Sequence, residues 1–157
     1  MDKNTEHITC LINHEESFRR IIINRNYKTK RYYIDFFVAG YKYNNGRDVI
    51  DLLLKNEPIN LLRDITNPYD RFAIAVYDRN FDFRLGYVPS IISPLISYKL
   101  EDKRNRIYAR IKNVKLDAAD ECKIEIRVFI DIAKKKKKAV WLILIAYKKI
   151  YDIMYVW

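Results

Sequence analysis

Ile124, Ile126, Val128 and Ile130 alternate with Lys123, Glu125 and Arg127. Side chains along a strand point alternately to opposite faces, so this pattern predicts a strand with one buried and one wet face. A second alternation, Ile107, Ala109 and Ile111, changes phase to Val114 and Leu116. A phase change within one strand predicts a bulge near Lys112 and Asn113. The chain upstream reads as equally short pieces. Segment 36–43 is aromatic and β-branched with Gly40 inside, a strand with a bulge or close backbone approach at the glycine. The turn Asn44-Asn45-Gly46 follows, then a short helix over 48–56, with Asp48 as N-cap and Val49, Ile50, Leu53 and Leu54 on one face. Strands are predicted over 59–65, 73–77 and 84–88, separated by the turn 66–70 and a hairpin loop at 79–82. Ser93 is the expected N-cap of a second helix, with Pro94 at its first position. Residues 1–35 are weakly patterned, with 21–23 as a short strand. About six strands and two short helices do not alternate as βαβ units. The expected class is therefore mainly β, a small antiparallel barrel.

At 157 residues the chain is one domain with extensions, read as 1–35, 36–130 and 131–157. Only three Gly and four Pro exclude collagen-like and Pro-rich linker classes. Residues 131–157 hold seven Lys or Arg against two Asp or Glu, half of the net charge of +10. The central region is only mildly basic, so any anion site there is local. Cys10 and Cys122 form no CxxC, which fits a reduced, cytoplasmic setting without a disulfide framework. The N-terminus has no apolar core of a signal peptide, and no run of about 20 apolar residues predicts a membrane span. The lysine run 134–138 followed by the apolar segment 139–147 leaves three readings open: a membrane-surface element, a packed terminal element, or a frame slip at an adenine-rich tract. The membrane reading ranks last, because the segment has no polar face.

Catalytic patterns are absent from the sequence. It holds no GxxxxGK[ST], GxGxxG, HExxH or GxSxG, and its two histidines, His7 and His14, stand in the weakly patterned N-terminus. His7, Cys10 and His14 have a conceivable metal-binding spacing but lack a fourth ligand. The expectation is a non-enzymatic module with no cofactor, metal or small-molecule substrate.

Three blocks stand in order between residues 36 and 90. They are Gly40-Tyr41-Lys42-Tyr43-Asn44-Asn45-Gly46, then Asn67-Pro68-Tyr69-Asp70 with Ala73-Ile74-Ala75-Val76, then Leu85-Gly86-Tyr87-Val88-Pro89. Together they resemble the HIRAN domain family over about residues 36–130. The resemblance implies an OB-like barrel that binds DNA, holding the free 3′-OH end of a single strand as an accessory to repair or fork processing. It implies that Asp70 accepts a hydrogen bond from the terminal hydroxyl, and that Tyr69 and Tyr43 pack or stack on nucleotides. Lys42 stands where the best-known member has arginine, and Tyr87 where it has histidine near the phosphates. A lysine lacks the planar fork of arginine, and a tyrosine carries no positive charge, so the grip on phosphate is expected to be looser. Arg47, Arg71 and Arg84 are candidate groove residues, whereas Lys103, Arg104 and Arg106 read as a solvated loop. The implied partners are single-stranded DNA ends and a helicase or nuclease on a separate chain. The rivals are a protein-interaction barrel, in which Tyr43 and Tyr69 line a partner groove, and a metal-dependent hydrolase acting on nucleic acid.

Overall fold

A computed structural model of the chain describes residues 31–131 in full, Arg104 excepted, and the backbone of residues 5–14 and 17–26. Eight strands are β1 Thr5–His14, β2 Ser17–Asn26, β3 Arg31–Phe37, β4 Pro58–Arg63, β5 Ile74–Tyr77, β6 Arg84–Tyr87, β7 Arg106–Val114 and β8 Ile124–Asp131. All pair antiparallel, in the order β1-β2-β3-β8-β7-β4-β5-β6. The six strands from β3 onward form a curled, incomplete barrel. Its two ends meet where Ala39, just past β3, exchanges two backbone hydrogen bonds of 2.8 Å with Tyr87 at the end of β6. The hairpin β1–β2 extends the sheet from the other end of β3. The expectation of six antiparallel strands with two short helices holds for the barrel. The hairpin exceeds the short strand expected within 1–35.

The alternation read in β8 places Ile124, Ile126, Val128 and Ile130 in the core, opposite Tyr32, Ile34 and Phe36 of β3 and Ala109 and Ile111 of β7. The register between β7 and β8 shifts between Ile111 and Asn113, at the phase change of the sequence. Helix α2, Ser93–Glu101, closes the barrel with Leu95 and Ile96.

Three local expectations change. The strand over 36–43 stops at Phe37, because Gly40 adopts φ 68, ψ 19, a left-handed conformation that no strand continues through. Tyr41–Tyr43 then forms a 3-10 turn. The helix over 48–56 is instead α1, Gly46–Val49, followed by a separate 3-10 turn, Ile50–Leu52. Val49 and Ile50 are buried while Leu52 and Leu54 face solvent, an apolar face too narrow for two full turns. Its N-cap is Asn45 and not Asp48. In α2, Ser93 is the first helical residue and not the cap, because its hydroxyl is engaged in a contact described below. The side chains of His7, Cys10 and His14 and the tail from residue 132 lie outside the described residues. Among the described residues, no helix is long and apolar enough to cross a membrane.

Candidate functional site

The β4–β5 loop is shaped by short polar side chains bonding their own backbone. Asp64 Oδ1 accepts from the Thr66 amide at 3.2 Å and its hydroxyl at 2.9 Å. Asn67 Oδ1 accepts from the amides of Tyr69 and Asp70 at 2.9 and 3.1 Å. Asp70 Oδ1 accepts from the Phe72 amide at 2.8 Å. These are the local bonds that Asp and Asn offer in turns. Pro68 limits the conformations of the same turn. The loop thereby holds Tyr69 out from the surface, 96% exposed.

Asp70 is tied from a second side. The Ser93 hydroxyl at the start of α2 donates to Asp70 Oδ2 at 2.7 Å. Each carboxylate oxygen thus has one partner. A carboxylate offers about four acceptor positions, so capacity remains for a further donor.

Across from this loop lies the closure of the barrel. The Tyr87 hydroxyl donates to Asp64 Oδ2 at 2.8 Å and accepts from Arg84 Nη1 at 2.8 Å. Arg84 Nε donates to Asn44 Oδ1 at 2.6 Å, and Asn44 Nδ2 donates to the Gly40 carbonyl at 2.7 Å. The relay joins the β4–β5 loop, β6 and the 3-10 turn into one frame. The Tyr87 hydrogen bond, followed by those of Thr66, holds the Asp64 carboxyl below its ordinary range. Burial, then the bond to Asp64, pushes the Tyr87 phenol up, so it stays protonated. Its single proton is already given to Asp64, so Tyr87 presents its ring rather than a hydrogen-bond donor.

A cleft of about 300 Å³ opens between these elements, lined by Tyr43, Asn67, Tyr69, Asp70, Tyr87 and Ser90 among others. Four of the five expected residues therefore meet at one cleft. Lys42 lines a smaller cleft of about 180 Å³, with its Nζ over the Tyr43 ring, 5.0 Å from the ring centre. Tyr43 is 78% exposed and lines both clefts. Of the candidate arginines, Arg84 is spent on the relay, and Arg47 is held by Asp120 at 2.7 Å. Arg71 lies over the Phe72 ring at 4.5 Å. Lys103 and Arg106 are exposed, and Arg104 lies outside the described residues. Sequence reasoning missed Asp64, Asn44 and Ser93, whose roles are set by partners 23 to 40 residues away. Among the described residues, no group of three or more His, Cys, Asp or Glu is placed to hold a metal ion.

The family model described as the HIRAN domain matches residues 32–133. The crystal structure of the HIRAN domain of human HLTF superposes with a TM-score of 0.52 at 20% identity, covering 76% of this chain and 88% of that one. Its NMR counterpart gives a TM-score of 0.52 at 22% identity, covering 71% and 84%. The crystal structure of a protein from Lactobacillus plantarum gives 0.51 at 16% identity, covering 80% and 96%. At these identities the solved structures speak to the fold, which they share. No curated protein is a significant match to the chain.

Proposed function

Because this chain belongs to the HIRAN domain family, a family of nucleic-acid-binding modules, we propose that its larger cleft holds the free 3′-OH end of single-stranded DNA. The observation that carries this reading is one arrangement. Two exposed aromatic rings, Tyr43 and Tyr69, and a carboxylate with spare acceptor capacity, Asp70, line a single cleft. Bases of any sequence stack on such rings. A carboxylate accepts a hydrogen bond from a terminal hydroxyl and repels a terminal phosphate, so it selects for a free end. Tyr87 serves as an apolar wall, and Lys42 neutralises a phosphate at the exit of the cleft. In the cell this module works in the cytoplasm, alongside a helicase or nuclease of DNA repair on another chain, without chemistry of its own.

Fluorescence anisotropy on the full chain tests the proposal, using one short labelled strand ending in 3′-OH or in 3′-phosphate. The 3′-OH strand is expected to bind about 10- to 100-fold tighter, the scale of one charged hydrogen bond. Asp70→Asn keeps an acceptor for the Phe72 amide and removes the charge, and it should abolish most of that preference. Tyr69→Ala, at a fully exposed position, should weaken both strands by about 5- to 100-fold, the range for one base–aromatic stack. Equal, weak binding of both strands by all three proteins would discard end recognition. It would favour the rival in which Tyr43 and Tyr69 receive a protein partner.

A further inference from the structure

We propose that the smaller cleft beyond Tyr43 reads the base of the penultimate nucleotide, favouring bases with an exocyclic amino group over thymine. This inference rests on the end-binding reading above. With the terminal nucleotide in the larger cleft, the strand leaving it must pass Tyr43, which lines both clefts together with Gly40. The next base then reaches the smaller cleft, where Lys42 Nζ lies over the Tyr43 ring, 5.0 Å from its centre. At about 180 Å³ this cleft lies below the range of drug-sized pockets, of a size for one ring system.

The lining of the small cleft carries charge of both signs. The cation is Lys42, over the Tyr43 ring. The acidic groups come from the 3-10 turn Asp120–Cys122, which brings Asp120 and Glu121 to the lining. Asp120 Oδ2 is occupied by Arg47 at 2.7 Å. Glu121 is half-buried and has no hydrogen-bond or ion-pair partner among the described residues. Phosphate is repelled by the two carboxylates and goes to Lys42, which leaves the base edge to meet the acceptors. Ionised carboxylates only accept hydrogen bonds. Cytosine and adenine offer amino donors there, as a carboxylate requires. Thymine turns carbonyl oxygens toward the same wall and is disfavoured. The proposal therefore stands on a cleft that holds both a phosphate cation and a base-edge acceptor.

The test uses the full chain and strands ending in the same 3′-OH nucleotide, with cytosine or thymine next to last. These two rings are of one size, so only edge chemistry differs. Cytosine is expected to bind about 5- to 20-fold tighter, at the lower end of a base-specific contact. Glu121→Gln supplies an amide that can also donate to a thymine carbonyl, so the ratio should fall to within about twofold. The preference for 3′-OH over 3′-phosphate should not change in that variant. Equal binding of the two strands, with the 3′-OH preference intact, overturns base reading and leaves end binding standing. A cytosine preference that survives Glu121→Gln also overturns it. Loss of the 3′-OH preference in the wild type overturns the end-binding reading itself.

Discussion

Gly86 adopts φ 151, and a Cβ placed there would lie 2.4 Å from the Ala39 carbonyl oxygen and 2.5 Å from Val38 Cγ1. The strand ends approach so closely at the barrel closure that no side chain fits between them. Gly86→Ala should therefore cost about 2–4 kcal/mol, combining backbone strain with overpacking, as read by urea denaturation. The variant should also lose DNA affinity, since Tyr87 and Gly40 are set by that closure. Asp64 gives a second prediction at this scale. Its carboxyl is held below its ordinary value of 3.8, first by the Tyr87 hydroxyl and then by Thr66. A depressed pKa means that the stabilisation is fully present above pH of about 4 and is lost as pH falls through the lower folded value. The stability gap between wild type and Asp64→Asn should therefore be constant from neutral pH down to about pH 5. It should narrow toward pH 2. A gap that stays constant to pH 2 would show that the loop does not depend on the Asp64 charge.

On the outer face of the sheet, β3, β7 and β8 are joined by a charge cluster. Asp35 is 2% exposed and accepts from Arg127 Nε at 2.6 Å and Nη2 at 2.8 Å, with Lys112 Nζ at 3.0 Å. Lys112, at the bulge, also meets Glu125 at 2.7 Å. Removing one member of a buried pair strands the other charge, so Asp35→Leu alone should cost about 3–5 kcal/mol. Asp35→Leu with Arg127→Met removes both charges and leaves Lys112 paired with Glu125. Most of the loss should return, measured by the same denaturation. A double variant as weak as the single one would place the stabilisation in the shape of the site and not in the charge balance. This cluster also marks what the sequence conveys and what it hides. The β8 alternation and the bulge were legible because apolar period reports burial directly. Asp35 was legible only as a boundary, because its partner stands 92 residues away. The β1–β2 hairpin was illegible for another reason: 21–23 are three isoleucines in a row, a run without the period that names a strand face. The cleft was legible as far as its own motif residues go, and illegible in the frame of Asp64, Arg84 and Asn44 that holds them.

For the whole molecule, charge and shape make separable contributions to binding. The net charge of +10 is concentrated outside the barrel, half of it in residues 131–157. Near the cleft, Arg84 and Arg47 are already bonded to protein groups, so among the described residues Lys42 and Arg71 are cations left to meet a strand. Affinity should then be dominated by diffuse charge and selectivity by the cleft. A short strand engaging three or four phosphates should show a slope of about −2 to −3 in log affinity against log salt. That is a loss of roughly 20- to 60-fold between 50 and 200 mM salt. The preference for 3′-OH over 3′-phosphate should behave differently. Asp70 acts at hydrogen-bond distance, well inside the screening length of about 10 Å at 0.1 M salt. The ratio of the two affinities should therefore change by less than about threefold over the same salt range. Anisotropy titrations of both strands at four salt concentrations give the two slopes directly. Parallel lines, steep and offset, locate selectivity in contact chemistry at the cleft. Lines that converge as salt rises would instead assign the preference to the field of the whole basic chain.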